Sequence, residues 1–137
     1  MTPPLADPAA APSVPPPSDL LLARVIHALQ DIKGKDIETL SVSRLTALFD
    51  TVVLVSAEST RQTRALARHL VDEMRRYGHP VIGMEGQHSG EWILVDLGAV
   101  IIHIMQPATR AYYDLTSLWL TPGGLHKIHD GPRPPSL

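Results

Sequence analysis

The chain has 137 residues, 44 % of them apolar, which suits one folded domain with its own core and excludes a disordered or fibrous polymer. Twelve basic residues against fourteen acidic ones leave a formal charge of −2, without the positive excess that drives sequence-independent binding to nucleic-acid phosphates. The lack of cysteine excludes disulfide scaffolds, thiolate metal sites and cysteine nucleophiles.

Residues 1–18 hold seven of the thirteen prolines, and no periodic apolar positions. A disordered Pro-rich arm is expected there. The arm lacks the basic and apolar regions of a secretory signal, and the longest apolar runs fall far short of a bilayer, so a cytoplasmic chain without a membrane span is expected. A folded domain over 19–120 follows, then a flexible Pro/Gly tail at 121–137.

Ser18 or Asp19 can cap a first helix whose apolar residues Leu22, Val25, Ile26, Leu29 and Ile32 recur at helical spacing, with Gly34 as its stop. "DIETLSV" (36–42) alternates imperfectly and gives a weak strand signal. "TVVLVS" (51–56) is short, continuous and β-branched, as a strand buried on both faces should be. Ser59 opens the most regular helix, with an inner stripe of Thr63, Leu66, Ala67, Leu70, Val71 and Met74 and an end at Gly78. A strand over "PVIGM" (80–84) leads into "EWILVDLGAVIIHIM" (91–105), which reads as a hairpin. "ATRAYYDLTSLW" closes the domain as a short helix and an extended tail. This order predicts an α/β fold, a mixed β-sheet of about five strands flanked by helices.

With Leu97 and Gly98 as the turn residues, Trp92 pairs with His103, Leu94 with Ile101 and Val95 with Val100. Ile93, Val95, Val100, Ile102 and Ile104 then form an aliphatic face for the core. The other face carries Trp92, Leu94, Asp96, Ile101, His103 and Met105, mixing apolar bulk with polar tips. Either it meets a partner, or a loop or the closing helix covers Trp92 and satisfies His103. Four of the six aromatic residues, Trp92, Tyr112, Tyr113 and Trp119, fall in the last third of the domain, which favours a partner-binding role.

Catalysis finds little support. Two-metal transfer chemistry commonly sets carboxylates two apart on one strand face, and the residue two beyond Asp96 is Gly98. No phosphate-cradling glycine loop precedes a helix, and no nucleophile elbow singles out a serine beside His103. The nearest histidine pair, His126 and His129, lies in the tail without a third ligand close by, so neither metal nor cofactor is expected. Arg61, Arg64, Arg68 and Arg75 share a side of the second helix and read as a solvated face, with little or no direct nucleic-acid binding.

Four stretches resemble the ribosomal silencing factor family, also called RsfS or Iojap-like: "KGKDIETLSVSRLTALFD" (33–50), "SAESTRQTRALARHLVDEM" (56–74), "MEGQHSGEWILVDLGAVIIHIM" (84–105) and "RAYYDLTSLW" (110–119). The resemblance implies a nucleotidyltransferase-like scaffold without catalysis. It also implies a translation repressor that docks on the large ribosomal subunit through the universal L-fourteen protein and sterically blocks small-subunit joining. Trp92, His103, Met105, Arg110, Tyr113 and Leu115 are then implied to face or support the partner, with Glu85, Gly86, Asp96 and Trp119 supporting them. Glu85 and Asp96 are expected to fix loops by accepting backbone N–H bonds. Other functions compatible with the sequence are a nucleotide-using transferase on the same fold and a homodimeric adaptor.

Overall fold

A computed structural model describes residues 17–120. The tail at 121–137, with His126 and His129, and the arm up to residue 16 lie outside the described residues. The elements run α1 (Pro17–Asp31), β1 (Lys35–Ser41), β2 (Thr51–Ser56), α2 (Thr60–Arg76), β3 (Gly83–Glu85), β4 (Trp92–Asp96), β5 (Val100–Met105), α3 (Pro107–Tyr113) and α4 (Leu115–Leu120). The five strands form one mixed sheet in the order β1-β2-β5-β4-β3. β2 pairs antiparallel with β1 and parallel with β5, and its continuous β-branched sequence is buried from Val52 to Ser56. None of the described helices is long and apolar enough to cross a membrane.

α2 follows its sequence pattern. Ser59 Oγ accepts the Gln62 N–H at 3.1 Å, Gln62 Oε1 accepts the Glu58 N–H at 3.1 Å, and the six expected inner residues are the buried ones. α1 departs from expectation at both ends. It starts at Pro17, so Asp19 sits in the first turn instead of capping it, and the buried stripe is Leu21, Val25, Ala28 and Leu29. The left-handed residue that ends α1 is Lys33 (φ 58°), while the Gly34 N–H closes back on Leu29 O at 2.9 Å. Gly34 serves close approach: a Cβ there would lie 2.6 Å from Val55 Cγ2.

α1 and α2 cover one face of the sheet, where Val53, Val55, Ile93, Val95, Val100, Ile102 and Ile104 complete the main core. The hairpin face assigned to the core from sequence is therefore the core face. Its register is different: Trp92 lies opposite Met105, Leu94 opposite His103 and Asp96 opposite Ile101. The turn centres on Gly98 and Ala99, because Gly98 takes φ 87° at the first central position and the Leu97 N–H donates to Val100 O at 3.0 Å. A shift of two positions keeps every side chain on its expected face.

Two further expectations are corrected. β3 is Gly83–Glu85, not 80–84; Ile82 precedes it, its N–H donating to Asp96 O at 2.8 Å. The closing segment is two helices, not a helix and an extended tail. Asp114 adopts a left-handed conformation (φ 45°), sends its N–H back to Arg110 O at 2.9 Å and accepts the Ser117 N–H on Oδ1 at 3.3 Å. One residue thus ends α3 and starts α4.

Candidate partner-binding surface

The second sheet face carries a smaller core, made of Leu40, Val42, Val52, Leu54, Trp92 and Met105, and roofed by Leu115 and Leu118 of α4. Trp92 is 6 % exposed, His103 8 % and Met105 fully buried, and Leu115 is buried above them. Of the two alternatives open for this hairpin face, the closing helix covers it: Trp92, His103 and Met105 are enclosed within the chain, and Leu115 is part of the cover. The chain spends their apolar surface on its own closing helices, because α4 offers Leu115 and Leu118 at helical spacing. Of the two roles implied for them, their burial suits support.

Trp92 and His103 form the polar centre of this layer. Trp92 Nε1 donates to His103 Nδ1 at 2.9 Å, with ring centroids 5.8 Å apart. An indole N–H only donates, so His103 Nδ1 is the acceptor and its neutral ring carries the proton on Nε2. Burial pushes the His103 pKa down from 6.5 to about 4, which holds that neutral form. Tyr113 stacks tilted on Trp92 at 4.6 Å and reaches the half-buried rim. The Trp92–His103 pair is thus a buried hydrogen bond within the small core.

Arg110 turns inward as a clamp. Its guanidinium donates to Asp36 O at 2.7 Å, to Ser56 Oγ at 2.9 Å and to Glu38 Oε1 at 3.2 Å, and Thr116 Oγ1 donates to the same carboxylate oxygen at 2.8 Å. α3 and α4 are thereby tied to β1 and β2, with Asp36 held left-handed at φ 52° and the strand register shifted between Lys35 and Glu38. Nothing in the sequence had marked Asp36, Glu38 or Ser56 as Arg110 partners, since more than fifty residues separate each of them from it.

Asp96 Oδ1 accepts the Gly98 N–H at 2.8 Å, the loop-fixing role expected of it. Glu85 is exposed, and its carboxylate has no hydrogen bond among the described residues. Gly86 has φ 87°, and a Cβ there would meet Trp92 O at 2.0 Å. Gly86→Ala should therefore lower stability by at least about 2 kcal/mol, readable by urea denaturation, because both backbone and neighbour must move.

What the small core leaves outside is a rim of large side chains. Leu48 is 80 % exposed, Tyr112 70 % and Leu120 64 %, and the half-buried Phe49, Tyr113 and Trp119 pack against that core from its edge. Phe49 meets Trp119 edge-on at 5.7 Å, joining the β1–β2 loop to α4, and Tyr112 meets Tyr113 at 5.0 Å. Aromatic and aliphatic groups held by a rigid layer beneath them suit protein recognition. Of the sequence candidates, Tyr113 and Trp119 reach this rim; Leu48, Phe49 and Leu120 were not among them.

On the other face, Arg64 of α2 donates to the carbonyls of Gln87 and His88, at 2.8 Å from Nε to Gln87, and so fastens the loop before β4. That arginine is exposed like Arg61, Arg68 and Arg75, but it holds a loop through its hydrogen bonds.

The sequence profile of the family described as "Ribosomal silencing factor during starvation" matches residues 15–134. The chain is similar to the protein named ribosomal silencing factor RsfS of Chromobacterium violaceum, 48 % identical over 94 residues that cover 69 % of this chain and 77 % of that one. It is 35 % identical to the Haemophilus influenzae protein of the same name, covering 72 % and 97 %. A crystal structure from Chromobacterium violaceum superposes with a TM-score of 0.73 at 44 % identity, over 74 % of this chain and 84 % of the other.

Proposed function

The chain belongs to the ribosomal silencing factor family, and on that premise we propose that it represses translation in the cytoplasm by docking on the large ribosomal subunit, through the universal L-fourteen protein, and sterically blocking small-subunit joining. The observation that carries this reading is the rim of α3, α4 and the β1–β2 loop, where Leu48, Tyr112 and Leu120 are exposed beside half-buried Phe49, Tyr113 and Trp119 while the layer beneath is packed around the Trp92–His103 bond. A steric factor needs affinity and position but no reacting group. The sheet is read as a nucleotidyltransferase-like scaffold that has no use for catalysis: the Asp96 carboxylate is engaged with the Gly98 N–H, and its same-face neighbour along the chain is that glycine.

The rim makes the contact and Trp92, His103, Met105, Leu115 and Arg110 hold it in shape. Tyr112→Ala should thus leave the melting temperature nearly unchanged and weaken co-sedimentation with large subunits about thirtyfold, the roughly 2 kcal/mol of an interface hot spot. Undiminished binding by that variant would remove the rim from the interface.

A further inference from the structure

The seam between α1 and α2 brings together four side chains that sequence spacing keeps apart. His27 and Asp31 are four residues apart on α1, and His69 and Glu73 are four residues apart on α2, so each pair projects from one helix face. His69 Nε2 lies 3.0 Å from Asp31 Oδ2, and one donor atom from each of Asp31, His69 and Glu73 falls within 4.8 Å of the others. His27 Nδ1 stands 3.8 Å from the other oxygen of the same Asp31 carboxylate.

We propose that this seam is a zinc site, with His69, Asp31 and Glu73 as its core ligands and His27 as the fourth. Two imidazoles and two carboxylates are donors that Zn2+ accepts in tetrahedral array, whereas calcium and magnesium favour oxygen alone. With bonds of about 2.0–2.1 Å the edge of such a tetrahedron is roughly 3.3 Å, close to the 3.0 Å between His69 Nε2 and Asp31 Oδ2. The metal takes the place of the proton between those two atoms. A neutral His69 shifts that proton to Nδ1, whereas an imidazolium already carries one there and releases the displaced proton to solvent, so affinity falls in acid. Arg76, 3.5 Å from Glu73 and 68 % exposed, gives up that contact to water. The site lies on the sheet face opposite the aromatic rim, so zinc would staple α1 to α2 without occupying the docking surface.

The test is calorimetric titration of the EDTA-stripped full chain with zinc chloride, alongside thermal melts with and without the metal. One equivalent of zinc should bind and raise the melting temperature, and cobalt should give the intense visible absorption of a tetrahedral centre. Glu73→Gln and Asp31→Asn should each weaken binding by at least about tenfold, with zinc-free melting temperatures showing that the variants fold. His27→Gln, on a side chain 77 % exposed, cannot upset the fold and should also weaken zinc. A double His126→Ala, His129→Ala variant should bind as the parent does. Absence of binding, or binding that survives the seam substitutions and vanishes in the tail variant, overturns the proposal.

Discussion

Trp92→Ala should lower the unfolding free energy by about 3–5 kcal/mol, the range for emptying a packed aromatic site. The indole fills the small core between the sheet and α4, stacks under Tyr113 and donates its N–H to His103, so its removal opens a cavity and leaves a buried acceptor unpaired. Trp92→Phe separates the two contributions. It keeps most of the bulk and loses the hydrogen bond, and should cost about 1–3 kcal/mol. Urea denaturation of the three proteins measures both steps. Large-subunit binding should fall with the loss of α3–α4 order and so track stability in these variants, unlike Tyr112→Ala. If Trp92→Ala were as stable as the parent, the small core would not hold the closing helices.

Acid should destabilise the parent chain through His103. Above pH 6.5 the imidazole is neutral in both folded and unfolded chains, and it contributes nothing to pH dependence. Between 6.5 and about 4 the unfolded chain takes up a proton that the buried ring refuses, so stability falls as pH falls. At about 1.4 kcal/mol per pH unit, this interval amounts to about 3 kcal/mol. Below about 4 the folded ring protonates too, and the contribution levels off. Glutamine can present an amide oxygen to the Trp92 N–H without titrating. His103→Gln should therefore flatten the stability profile between pH 4 and 6.5 by about that amount relative to the parent. Parallel profiles for the two proteins would mean that the ring is solvated after all.

Local pattern made much of this fold readable. The β-branched run at 51–56 and the helical stripe from Thr63 to Met74 each satisfy a single period, and both occur with their expected residues buried. The hairpin faces were also readable, since faces depend only on alternation. Its register was not, because the register depends on which residue takes the positive φ, and Gly98 fits either of two turn positions. The ambiguous hairpin face was decided by tertiary structure. Leu115 and Leu118 could roof Trp92 only if α4 formed, and α4 depends on the left-handed turn at Asp114. The clamp made by Arg110 was not legible because its three acceptors come from β1 and β2, far away in sequence. The α1–α2 histidine–carboxylate seam was hidden for the same reason: its two halves are 38 residues apart at His69 and Asp31.

A sucrose-gradient joining assay tests the steric mechanism most directly. Large subunits preincubated with the purified chain are mixed with small subunits at a magnesium concentration that supports joining. The chain should travel with the large subunit and suppress the joined-ribosome peak, while Tyr112→Ala at the same concentration should leave that peak largely restored. Joined ribosomes forming undiminished with the chain still bound to them would contradict steric exclusion.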